Sequence, residues 1–207
     1  MNKITHKELS GAVKHFRTIT RHKLLVMQKC FRVGLYRQGL LHDLSKYSPT
    51  EFLVGMKYYQ GNRSPNNAER EDTGVSLSWL HHKGRNRHHF EYWVDYDPAR
   101  GERILAGARM PRKYVAEMVM DRISASQVYN DGTYNDRMPL EYYERNKDKL
   151  WFVHEKTKRD LSRILTILAE EGEDAMYDYV KYVYLGKKRK NNKEKCADES
   201  AYHRTCQ

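Results

Sequence analysis

Apolar residues in this chain recur at helical spacing over several long segments, and strand-like alternation is scarce, so the pattern predicts an all-α helix bundle. The first strong helix is expected over about 18–37, with an inward stripe of His22, Leu25, Val26, Cys30 and Val33. A second, about 38–47, carries Leu40, Leu41 and Leu44, and a third runs from Ser48-Pro49-Thr50-Glu51 to Tyr59, with Ser48 or Thr50 as its cap. Residues 61–74 read as a polar loop. A helix from about Val75 leads into a histidine-rich stretch at 81–89, and 95–110 reads as an irregular connection. Pro111 at the first helical position opens a helix to about Tyr129. Further helices are expected over about 139–149, 155–170 and 173–185.

Length and charge refine this picture. The chain has 207 residues, which fits one domain over 1–185 followed by a basic, disordered tail over 186–207. No apolar run approaches a membrane span, the N-terminus lacks a signal-peptide stretch, and a cytoplasmic location is expected. Cys30, Cys196 and Cys206 are too few and too widely spaced for a disulfide framework or a Cys-rich zinc site. Cys30 lies on the apolar stripe and reads as core. Neither a Walker-type loop nor a GxGxxG is present, which argues against nucleotide-binding α/β folds. The net charge is +11; the tail from Gly186 has seven Lys/Arg and three Asp/Glu, or +4, leaving +7 spread over the rest. That excess fits a solvated basic surface or an anionic partner: a small nucleotide, or nucleic acid through the surface and the run Lys187-Lys188-Arg189-Lys190.

The candidate chemistry lies in polar residues on apolar faces. Metal sites in helix bundles are made by pointing His and carboxylate side chains inward from several helices. His22 interrupts the first stripe, where it is either a core histidine or a ligand. Asp121 shares a face with Met118, Ala125 and Val128, and a buried carboxylate needs a cation, either a metal or an arginine such as Arg122. His42-Asp43 offers an imidazole nitrogen beside a carboxylate whose second oxygen can bridge to another ion. Lys46, one turn on, is placed to meet a substrate phosphate or to form a salt bridge. Four of the ten histidines (His81, His82, His88 and His89) fall within nine residues, flanked by Trp79, Phe90, Tyr92 and Trp93 that should pin the string to the fold. The alternative for that string is a basic, RNA-contacting loop.

The order His, His-Asp, paired His, Asp resembles the HD superfamily of metal-dependent phosphohydrolases. Within it, the chain looks most like a bacterial and phage family of unknown function. The strings that carry the resemblance are HKLLVMQKCFRVGLYRQGLLHDLSKYSPTEF at 22–52, WLHHKGRNRHHFEYW at 79–93, MPRKYVAEMVMDRISAS at 110–126 and YYERNKDKL at 142–150, spanning about 15–168. The resemblance implies an all-α HD-domain bundle in which His22, His42, Asp43 and Asp121 hold a first divalent metal. His82 with His88 or His89 would complete a second, bridged by Asp43. It implies one or two ions (Mn, Fe, Zn, Ni, Co or Mg), catalytic roles for Asp43 and Lys46, and Lys46, Arg85, Asn86 and Arg87 as substrate contacts. The function expected is hydrolysis of a nucleotide or other small phosphate ester by a metal-activated water. Two other readings stay open: a di-iron oxygenase on the same ligands, and a nucleic-acid-binding or inhibitory protein in which the histidines are structural.

Overall fold

The computed structural model describes residues 6–97 and 105–189. The expected tail lies almost wholly outside them, as do Cys196 and Cys206. The architecture is mostly α-helical, as the periodicity predicts: α1 (His6–Arg32), α2 (Tyr36–Leu41), α3 (Pro49–Lys57), α4 (Pro65–Thr73), α5 (Leu77–Arg85), α6 (Arg112–Tyr129), α7 (Met138–Asn146) and α8 (Glu155–Asp178). No helix among the described residues is long and apolar enough to cross a membrane.

α1 buries His15, Ile19, His22, Val26, Lys29 and Cys30, with Val33 just past its end, a stripe at helical spacing, and the helix lies against α6, α2 and α3, His15 meeting α3 at Phe52 and Gly55. The helix is longer at its start than the expected 18–37 and ends five residues earlier, because Gly34 takes a left-handed φ of 75° and closes it. α2 then folds back on α1. Its Gly39 permits the approach, since a Cβ there would sit 3.1 Å from the Met27 carbonyl and from Cys30 Cβ.

The helix expected over 38–47 is broken. α2 stops at Leu41, His42 and Asp43 occupy the break, and Leu44–Tyr47 is a single 3₁₀ turn. Leu40, Leu41 and Leu44 are all exposed, so this segment is held by its polar residues and not by its leucines.

Four further departures are local. The polar segment 61–74 contains α4, started by Pro65 and closed by left-handed Gly74; it buries only Ala68 and Glu69, so it shows no apolar period. Glu69 accepts hydrogen bonds from Ser76 Oγ and Ser78 Oγ, both at 2.5 Å, and Ser76 in turn caps α5 at Trp79 N. The connection expected to be irregular holds an antiparallel pair, β1 (Val94–Tyr96) and β2 (Leu105–Gly107). Ser48 does precede α3, but its side chain makes no cap bond, and Pro111 is the residue before α6, not its first turn.

α6 is the central helix. Val115, Ala116, Glu117, Met118, Val119, Met120, Ile123 and Ser124 are all buried, so two of its carboxylates face the interior or its edge. Against it pack α1 and the Leu161, Ile164, Leu165 and Leu168 face of α8. α8 runs past the predicted end at 170, with its one non-helical residue at Gly172 (φ 85°), and continues into a wide turn at Tyr179–Tyr184.

Candidate metal centre

Five chain segments bring charged side chains to one buried point. His22 comes from α1, His42 and Asp43 from the break after α2, His82 from α5, His88 and His89 from the segment after α5, and Asp121 from α6. The break explains how adjacent residues 42 and 43 both point inward. Asp43 has φ 53° and ψ 25°, the only positive φ at a non-glycine among the described residues. That conformation costs about 1 kcal/mol or more, least for Asp and Asn, and persists where surrounding contacts enforce it. Lys23 supplies such a contact: its ammonium donates to the Leu40 and His42 carbonyls, both at 2.8 Å, holding the end of α2. The 3₁₀ turn that follows eclipses positions three apart, which sets Lys46 Nζ 2.6 Å from Asp43 Oδ2.

Asp43 divides the cluster in two. Its Oδ2 lies 3.3 Å from His42 Nε2 and 3.8 Å from His22 Nε2, while Asp121 Oδ1 lies 2.9 Å from His22 Nε2 and 3.6 Å from His42 Nε2. Its Oδ1 lies 3.3 Å from His82 Nε2 and 3.4 Å from His88 Nε2, and His89 Nε2 is 2.9 Å from His82 Nε2. Within each group of four residues the donor atoms lie within 4.8 Å of one another.

These separations have a chemical meaning. Nitrogen and oxygen donors at about 2.0–2.1 Å from one ion stand about 3.3 Å apart in a tetrahedron and about 2.9 Å in an octahedron. The donors are also short of other partners. His22 Nε2, His42 Nε2, His88 Nε2 and both oxygens of Asp43 are buried without a hydrogen bond. Several contacts above are short enough in distance but not aligned as hydrogen bonds. Buried polar atoms are ordinarily satisfied; Asp43 Oδ2 has the Lys46 ammonium at 2.6 Å, and the other four, facing one point, fit a cation held there.

Two further carboxylates organise the histidines from behind. Glu117 Oε1 is 3.0 Å from His42 Nδ1 and 3.2 Å from His88 Nδ1. Glu51 Oε2 is 2.7 Å from His82 Nδ1, and its Oε1 is 2.7 Å from His81 Nδ1. A proton on each Nδ1 leaves Nε2 free as a lone-pair donor, the usual arrangement around metal-ligating histidines. His42, His88 and Glu117 also bring donor atoms within 4.8 Å of one another, but their contact is through Nδ1, with both Nε2 atoms turned to Asp43.

The electrostatics show the same demand for positive charge. Burial opposes ionisation of Asp43, yet His42, Lys46 and His82 outweigh it and hold its pKa well below the ordinary carboxylate value. Burial likewise opposes protonation of His42, but Asp43, Asp121 and Glu117 raise its pKa well above that of free imidazole. Burial, reinforced by His88 and His82, pushes His89 well down, so it stays a neutral donor. Lys46 is held protonated: burial disfavours its charge, and Asp43 and Asp121 more than restore it.

Every residue singled out as a ligand from the sequence (His22, His42, Asp43, His82, His88, His89 and Asp121) lies in the cluster. His81 turns to Glu51 instead. Arg122, the alternative neutraliser of Asp121, lies over the Phe90 ring at 5.2 Å, while the ion-pair contacts of Asp121 run to His22, His42 and His88. The aromatics do pin the string: Trp79 packs on His82 and His89, Phe90 is buried, and Trp93 Nε1 donates to the Arg87 carbonyl. Of the expected substrate contacts, Lys46 touches the cluster with its side chain 29% exposed. Asn86 is engaged by Ser45 Oγ and the His82 carbonyl, both at 2.8 Å, which locks the string in place. Exposed Arg87 bonds the Tyr92 and Tyr114 hydroxyls, and Arg85 reaches back to the His81 carbonyl.

Sequence reasoning missed Glu117, Glu51 and Lys23. Glu117, one helical turn before Asp121, and Glu51, in the stretch that opens α3, each read as an ordinary helical glutamate, and Lys23 carries no signal of its own.

No curated protein and no solved structure is matched significantly by the chain. A family model, that of the family of unknown function DUF5662, matches residues 11–167, well over half of the sequence. The chain therefore belongs to the DUF5662 family.

Proposed function

We propose that this protein is a metal-dependent phosphohydrolase of the HD type, acting on a nucleotide or other small phosphate ester. The observation that carries the reading is the pair of four-donor groups sharing Asp43, with the partly exposed Lys46 side chain placing its ammonium beside the shared carboxylate. Divalent ions bound there would supply Lewis acidity, polarising a phosphoryl oxygen and lowering the pKa of a coordinated water. The chain's own part is positional. Asp43 and Asp121 provide the anionic face that selects a cation, and Glu117 and Glu51 fix the tautomers of His42, His88 and His82. Lys46 stays charged at the edge of the cluster, where its partly exposed side chain would meet a phosphate and neutralise charge as it develops in the transition state. The overall excess of positive charge favours an anionic substrate.

The test is a screen of metal-loaded protein against nucleotides, cyclic nucleotides and simple phosphate esters, with Asp43→Ala as control. Phosphate release that disappears in Asp43→Ala is the expected result. Full activity in that variant would rule the mechanism out. Metal-independent, salt-sensitive nucleic-acid binding with no turnover would favour the scaffold reading instead, and oxygen consumption by the iron-loaded protein the oxygenase one.

A further inference from the structure

We infer that the two halves of the centre are unequal: the half made by Asp43, His82, His88 and His89 binds a transition-metal ion first and tightly, and the half made by His22, His42, Asp43 and Asp121 binds second and exchangeably. The inference rests on the metal-centre reading above and concerns the order and identity of loading within it.

Three independent observations separate the halves. The first is donor chemistry. One half offers three imidazole nitrogens and one carboxylate oxygen; the other offers two of each. Imidazole suits zinc, iron, nickel and cobalt, whereas magnesium and manganese prefer oxygen. The nitrogen-rich half therefore discriminates against magnesium, and the mixed half does so much less.

The second observation is preorganisation. His88 and His89 rings lie 4.2 Å apart between centroids, His82 and His89 4.8 Å, and Trp79 packs on both His82 and His89. Glu51 backs His82, a support the other half lacks because Glu117 serves His42 and His88 alike, and Asn86 ties the turn between His82 and His88 to Ser45. Three donor separations in this half, Asp43–His82 at 3.3 Å, Asp43–His88 at 3.4 Å and His82–His89 at 2.9 Å, lie close to the edges expected around one ion, while in the other half His42–Asp121 and His22–Asp43 stand at 3.6 and 3.8 Å. An ion entering the nitrogen-rich half has less to rearrange.

The third is competition. The Lys46 ammonium sits 2.6 Å from Asp43 Oδ2, the oxygen that faces His22 and His42. A second cation in that half must share this oxygen with the ammonium or displace it. Asp43 Oδ1, facing His82 and His88, carries no such contact among the described residues. Lys46 is thus both the group poised for substrate and the one that weakens metal in its own half, so second-ion occupancy and the freedom of Lys46 to engage an anion are coupled.

The experiment is a titration of the full-length, metal-free protein with Co(II), followed by its visible d–d absorption and by calorimetry, with circular dichroism to verify folding of each variant. The expected course is two resolved equivalents, the first at least about 10-fold tighter than the second, a factor within the 10–100-fold range over which ligand surroundings tune affinity. His89→Asn should weaken the first equivalent and change its spectrum. Asp121→Asn should leave the first equivalent within about threefold and weaken the second. Lys46→Met, which removes no donor, should tighten the second equivalent and leave the first alone, so the inference stays testable should a ligand variant fold poorly. Millimolar magnesium should displace cobalt from the second position only. Two equivalents of equal affinity, or a first equivalent lost in Asp121→Asn, would overturn the unequal loading while leaving the metal centre intact. No cobalt bound to the wild-type protein would overturn both.

Discussion

Glu117 provides the sharpest prediction, because a single buried carboxylate oxygen contacts one histidine from each half of the centre, His42 at 3.0 Å and His88 at 3.2 Å. Glu117→Gln keeps the shape and leaves an acceptor oxygen within reach of both Nδ1–H groups, but removes the charge. Hydrogen bonds to a charged partner contribute about 1.5–3 kcal/mol and neutral ones about 0.5–1.5. The substitution therefore costs each imidazole about 1 kcal/mol of support as a donor. Loss of a nearby negative charge weakens cation binding in the same direction. Each half should then bind metal about 5- to 30-fold more weakly, since 1.4 kcal/mol is a factor of ten. Glu51→Gln is the paired control: its carboxylate backs His82 and His81 only, so it should weaken the nitrogen-rich half and spare the other. Zinc affinity measured by competition with a chromophoric chelator, with thermal unfolding of the metal-free variants to verify the fold, reads both effects. Glu117→Gln with both affinities within twofold of the wild type, or with only one equivalent affected, would refute the assignment of Glu117 as the carboxylate shared by the two halves.

Two further outcomes follow from groups outside the ligand set. His15 is buried against Phe52, Tyr59 and Gly55, and burial, with Lys46 nearby, lowers its pKa from 6.5 to about 4. The unfolded chain therefore takes up this proton first on acidification. The contribution is fully present above pH 6.5 and declines as pH falls towards 4, at up to about 1.4 kcal/mol per pH unit. Chemical denaturation across that range should show a shallower slope in His15→Gln than in wild type, and an unchanged slope would show that His15 is not the responsible group. Lys23→Met should leave the carbonyls of Leu40 and His42 without their donor, destabilising the protein by about 1–3 kcal/mol. It should also loosen metal binding without removing a ligand. Wild-type stability and affinity in that variant would show that the left-handed turn at Asp43 needs no such clamp.

Much of the centre is legible in the linear sequence because its residues violate local patterns there. His22 on an apolar stripe, Asp121 among Met118, Ala125 and Val128, and four histidines crowded between aromatics are all anomalies that burial makes expensive unless a cation or hydrogen bonds compensate. Glu117 and Glu51 break no pattern, since a glutamate on a helix ordinarily reads as solvated, and their role exists only where a histidine from another segment arrives opposite. α4 escaped detection for the converse reason, being a helix with almost no apolar face, held by Pro65, Gly74 and a buried Glu69.

Helical periodicity, the two-residue His-Asp step and the chemistry available to each side chain were set by the order of residues alone, because they depend on covalent spacing of three or four positions and on intrinsic donor type. The tertiary structure alone decided that α2 breaks at His42, that Asp43 adopts a left-handed backbone and turns one oxygen to each half, and that Leu40, Leu41 and Leu44 face outward. Those outcomes depend on contacts between segments tens of residues apart, such as Lys23 on the end of α2 and Glu117 between His42 and His88, and such contacts come into being only when α1, α5 and α6 pack around a common point.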